Sequence, residues 1–90
     1  MTVRFGMDAA RVESREAFHR LLAWGLGLPK WYGGNLDALY DSLTDLDGET
    51  ELAIVNAWAL DAALGSYAHA LRRVLSDAAA ENPHLHIVWM

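Results

Sequence analysis

The sequence predicts an α/β fold with a parallel sheet, and three observations carry that expectation. Short runs at residues 2–7, 51–57 and 85–90 have strand character. Between them lie longer stretches whose apolar residues recur at helical offsets. Strands alternating with helices are joined by crossovers, which makes the strands parallel and the crossovers right-handed.

Thr2 to Met7 alternates, with Val3, Phe5 and Met7 on one face and Thr2, Arg4 and Gly6 on the other, the pattern of a half-buried strand. Ser14 stands where it can cap a helix running to about Trp24, with Ala17, Phe18, Leu21 and Leu22 as its buried stripe. Gly25 and Gly27 end it. Pro29 and Gly33-Gly34 mark a turn, and Asn35 occupies the N-cap of a short helix. Leu36, Leu39, Leu43 and Leu46 form that helix's apolar stripe, and Asp47-Gly48 closes it.

Leu52-Ala53-Ile54-Val55, within residues 51–57, is a continuous apolar run of the kind found in a strand covered on both faces. Trp58 to Leu64 reads as a short helix ended by Gly65. Ser66 is placed to cap a longer helix reaching about Glu81, with Tyr67, Leu71, Val74, Leu75 and Ala78 on its buried side. Asn82-Pro83 stops it, and Leu85 to Met90 is the last strand.

Ninety residues with 53% hydrophobic content suit one domain spanning 1–90, which buries about 60–65% of its unfolded surface. No cysteine is present, so disulfides do not hold this small core together. The first residues lack the apolar stretch of a signal peptide, and no run approaches transmembrane length. A soluble cytoplasmic protein without a membrane partner is expected.

Charge is distributed unevenly. No Lys or Arg occurs between Trp31 and Leu71, where seven of the twelve acids lie; the rest of the chain is net basic. Such a segment repels nucleic acid, which excludes RNA or DNA as a direct partner, and attracts a basic one. Asp37, Asp41 and Asp45 fall at every fourth position, nearly opposite the leucine stripe of their helix. Like charges so spaced cost about 0.2–0.5 kcal/mol per pair. Trp31 and Tyr32 precede them and Tyr40 borders the row. Two readings fit: a solvated helix face, or a convex acidic surface that docks onto something basic.

Other chemistries find little support. Counting Asp45-Leu46-Asp47-Gly48-Glu49 as a calcium loop places Leu43 and Ile54 where acidic ligands belong. His84 and His86 share a strand face, but no third metal ligand is near them in sequence. His19 and His69 fall on helices without a recognisable nucleophile, and Gly33-Gly34 is no phosphate loop. Asp37 and Asp41 could serve as a catalytic carboxylate pair only inside a cleft that raises one pKa. No enzyme activity, cofactor or metal is expected.

The run Leu28-Pro29-Lys30-Trp31-Tyr32-Gly33-Gly34-Asn35-Leu36-Asp37-Ala38-Leu39-Tyr40-Asp41-Ser42-Leu43-Thr44 resembles the characteristic segment of the barstar family, intracellular inhibitors of barnase-like ribonucleases. The element order extends the resemblance over nearly the whole chain. It implies a barstar-like fold, a three-stranded parallel β-sheet packed with three to four helices. It also implies inhibition of a small, secreted, guanyl-preferring ribonuclease, a basic microbial protein bound 1:1, through an acidic helix and preceding loop that imitate RNA phosphates.

By the same resemblance Asp41 is the central anchor and Asp37 a second one. Trp31, Gly33 and Asn35 are loop contacts, Tyr40 and Thr44 flank them, and Asp45 continues the acidic row. Asp77 stands at a peripheral contact position, though Arg73 four residues earlier could hold it in a surface ion pair. Trp31 replaces a tyrosine of the family pattern, Tyr40 and Leu46 each replace a tryptophan, and Lys30 and Gly34 replace acids. The alternative is a barstar-like immunity or interaction module whose basic partner is not a ribonuclease.

Overall fold

The computed structural model describes residues 2–90, and in it the three apolar runs pair as a parallel sheet in the order β1-β2-β3. β1 is Val3–Asp8, β2 is Thr50–Val55 and β3 is Leu85–Trp89. The register sets Phe5 beside Leu52 and Leu52 beside Ile87. Slipping a strand by one residue would turn its apolar set to water, so burial of this face specifies the register.

The β1-to-β2 connection holds a 3₁₀ turn at Ala9–Arg11, then α1 (Arg15–Leu26) and α2 (Leu36–Thr44); α3 (Trp58–Leu64) and α4 (Ser66–Glu81) lie between β2 and β3. Strand order advances in one direction, so right-handed crossovers place both connections on the same side of the sheet. Met7, Leu52, Ile54 and Leu85 are buried beneath them. On the opposite face Arg4, Val55, His86 and Val88 are exposed and Ala53 is half-buried. The run Leu52–Val55 therefore alternates in burial and is not covered on both faces, as its composition suggests. Among the described residues, no helix is long and apolar enough to cross a membrane.

Local signals explain most helix boundaries. Ser14 Oγ accepts a hydrogen bond from Ala17 N at 3.1 Å, which caps α1. The helix runs through Gly25 and stops at Gly27, whose φ of 65° is the left-handed C-cap. Gly25 is there for space: a Cβ at that position would lie 2.2 Å from the Phe5 ring. The buried residues of α1 are Phe18, His19, Leu22 and Leu26, while Ala17 and Leu21 are half-buried, a stripe rotated from the expected one. Ser66 opens α4 as its first helical residue and makes no capping bond; Gly65 occupies the N-cap.

Two polar side chains tie the elements together. Arg72 on α4 donates to the Ala57 carbonyl at 2.8 Å, beside Asp61, with its guanidinium 4.9 Å from the centre of the Trp89 ring. It thereby ties the start of α3 to α4 without capping it, because arginine only donates and the groups a helix start leaves open are N–H donors. Asn82, buried at the C-cap of α4, donates through Nδ2 to the Leu43 and Leu46 carbonyls, both at 2.9 Å. Its Oδ1 accepts from His84 N at 3.0 Å. One amide thus joins the end of α2, the end of α4 and the entry to β3.

Asn82→Ala leaves those groups without their partner inside the protein. A loss of about 1–3 kcal/mol is expected from urea unfolding; an unchanged midpoint would contradict the role given to Asn82.

Candidate functional site

Helix α2 starts where its sequence says it should. Asn35 Oδ1 accepts from Ala38 N at 2.8 Å, and Gly34 before it takes a φ of 67° that favours glycine. Leu39 and Leu43 are buried, Leu36 and Tyr40 are half-buried against the core, and Leu46 packs half-buried just past the helix end. Asp37, Asp41 and Asp45 are all exposed.

The three aspartates point outward along α2, as helical geometry suggests, but they border two different hollows. Asp41 and Asp45, joined by Asp47, line an open hollow of about 480 Å³. Its other wall is the loop, through Trp31, Tyr32 and Gly33. Asn35 and Asp37 line a separate hollow with Arg15, Glu16 and Tyr67. The division arises because the loop lies along the face of α2 that carries Ala38, Asp41, Ser42 and Asp45.

Of the remaining predicted residues, Trp31 is 85% exposed at the rim of the acidic hollow. The Thr44 hydroxyl turns back to donate to the Tyr40 carbonyl at 2.9 Å. Asp77 is exposed on α4, lines neither hollow, and makes no ion pair with Arg73 among the described residues. Asp41, Asp45, Trp31 and Gly33 are therefore brought together; Asn35 and Asp37 adjoin them, and Asp77 stands apart.

What holds the loop is a histidine whose partners lie far away in sequence. His19, buried on α1, is hydrogen-bonded through Nδ1 to the Tyr32 hydroxyl of the loop and through Nε2, at 2.6 Å, to the Tyr67 hydroxyl of α4. A neutral imidazole has one donor and one acceptor, so one tyrosine accepts from it and the other donates to it. Arg15 lies over the Tyr67 ring at 5.2 Å. Burial pushes His19 below its ordinary pKa, against the opposite pull of Glu16, and pushes the Tyr32 and Tyr67 phenols up. Read by helical offset, His19 belongs with Leu22 and Leu26, a signal that it faces inward.

His84 and His86 share a hydrogen-bonding partner in Glu49. Their ring N–H groups donate to the two different oxygens of Glu49, at 2.9 and 3.1 Å, and hold its carboxyl below the usual range. Among the described residues, no three ligands converge as a metal ion requires.

The barstar family, described as "Barstar (barnase inhibitor)", matches residues 3–89. A protein of Bacillus subtilis (strain 168) named "Putative ribonuclease inhibitor YrdF" is 37% identical over 76 residues, covering 83% of this chain and 84% of that protein.

Below pH 6.5 the unfolded chain takes up a proton at His19 that the folded chain resists. This contribution to stability is complete above 6.5 and declines as the pH falls toward the folded value. The urea midpoint of the wild type should drop between pH 7 and 5 relative to that of His19→Gln; parallel profiles would contradict the neutral, buried role of His19.

Proposed function

The chain belongs to the barstar family, and from that premise we propose that it inhibits a ribonuclease by presenting α2 and its preceding loop to the enzyme's active site. A ribonuclease must bind phosphates, so its active site concentrates Arg, Lys and His. The observation that carries the reading is the hollow where Asp41, Asp45 and Asp47 face the loop that bears Trp31. An arginine entering it would meet carboxylates in charge-assisted bonds, partly shielded from water by the loop.

In this reading Asp41 is the central anchor, with Asp45 beside it and Asp37 engaging from the adjacent hollow. Trp31 covers the mouth of the enzyme's groove, and the small Gly33 lets the loop approach closely. Asn35 supplies a loop contact, Tyr40 and Thr44 flank the centre, and Asp77 meets the periphery. The name of the Bacillus subtilis relative agrees with ribonuclease inhibition. The target is a basic, small, secreted microbial ribonuclease of the guanyl-preferring kind, bound 1:1. The inhibitor acts in the cytoplasm, where it guards the cell that makes the enzyme.

Such an interface separates binding from folding. The acids repel one another at about 0.2–0.5 kcal/mol per pair, so removing one relieves the helix. Truncating one member of a buried, hydrogen-bonded charge pair costs an interface about 2–5 kcal/mol, or about thirtyfold to several thousandfold in affinity.

Titrating a guanyl-preferring ribonuclease such as barnase with the wild type should give an equivalence point at 1:1. Asp41→Ala should lose affinity by that factor while its melting temperature stays level or rises. A variant that loses stability yet inhibits as well as the wild type would overturn the assignment.

A further inference from the structure

The loop that walls the acidic hollow has another side. Leu28, Pro29, Tyr32 and Gly33 line both that hollow and a second, shallower one of about 520 Å³. The far wall of the second hollow is α1, through Arg20 and Trp24, and Lys30 stands at its edge. Its charge has the opposite sign. Arg20 and Lys30 outnumber Glu16, and neither cation is paired with a carboxylate among the described residues.

Trp24 is not needed to fill the core, because Phe18, Leu22 and Leu26 occupy the buried face of α1. It is 77% exposed, yet its ring stands edge-on against Phe5 with centroids 6.0 Å apart. An aromatic held in place this way loses little freedom on binding. Tryptophan and arginine are also the residue types that most often dominate interfaces. Two exposed tryptophans, Trp31 and Trp24, thus bracket one loop between hollows of opposite charge.

We infer that the partner-binding face continues over the loop onto α1, and that the hollow between Trp24, Arg20 and Lys30 receives a carboxylate-bearing segment of the same ribonuclease. This rests on the inhibitor reading and adds a second contact to it. A partner laid across the loop touches both hollows, and their opposite charges set its orientation: reversed, it would oppose like charges on both sides. The acidic hollow engages the active site that ribonucleases share, and the basic hollow selects among enzymes that differ at its rim.

The test measures inhibition of barnase and other guanyl-preferring secreted ribonucleases by the wild type and variants, taking the most tightly inhibited enzyme for comparison. Trp24→Ala and the double variant Arg20→Glu/Lys30→Glu should each weaken inhibition about tenfold or more. The conservative pair Arg20→Lys/Lys30→Arg should retain most of it, and all should keep the wild-type melting temperature within a few degrees. Wild-type inhibition by both altered proteins, alongside a loss in Asp41→Ala, would overturn the second contact and leave the inhibitor reading standing. If the wild type inhibits none of the enzymes, the inhibitor reading fails and this inference with it. Binding of a labelled RNA oligonucleotide by the free protein, abolished in the Arg20→Glu/Lys30→Glu variant, would assign the hollow to nucleic acid and also overturn the inference.

Discussion

Helix α2 carries carboxylates that repel one another, and it is held in place by an asparagine at each end. Asn35 caps its first turn, and Asn82 reaches across from α4 to bind the Leu43 and Leu46 carbonyls at its close. Between these ties, Leu39 and Leu43 are buried in the core. The fold thereby fixes a short helix whose charges, left to themselves, work against it. Everything ascribed to the site depends on that arrangement, since a frayed α2 would scatter Asp41 and Asp45.

The loop is fixed by a different device. His19 reaches Tyr32 in the loop and Tyr67 on α4, so the backbone from Pro29 to Asn35 is referred to two helices. A loop held this way turns an acidic helix face into a hollow with walls. Once a partner covers such a hollow, its carboxylates are less screened by water than on an open surface, and their attraction for a cation is stronger. Preorganisation of this kind limits the ordering cost of binding. The open face of the sheet is built differently: Arg4 and Glu51 pair there at 3.7 Å, beside the exposed Val55, His86 and Val88 and the half-buried Ala53.

Much of this was legible in the sequence, and the limits have physical reasons. The caps at Ser14 and Asn35 are local, each set by a side chain and an amide three residues on, and both were readable. Strands separated by helices implied a parallel sheet, and the characteristic run from Leu28 to Thr44 identified the family resemblance. What escaped depends on distance. Gly25 read as a helix end because nothing local reveals the Phe5 ring against it. Residues 52–55 read as covered on both faces because strand order decides which side the crossovers take. The carbonyls that Asn82 binds and the Tyr67 partner of His19 lie tens of residues away, and the hollow around Asp41 exists only because the loop returns to α2.

The central claim is that the face built from α2 and its loop is where the partner sits. Amide chemical-shift mapping of the isotope-labelled chain, titrated with a ribonuclease that it inhibits, tests this most directly. The account predicts the largest changes at Trp31 to Gly33 and Asp41 to Asp47. Changes centred on Val55 and Val88 of the open sheet face, with α2 unmoved, would contradict it.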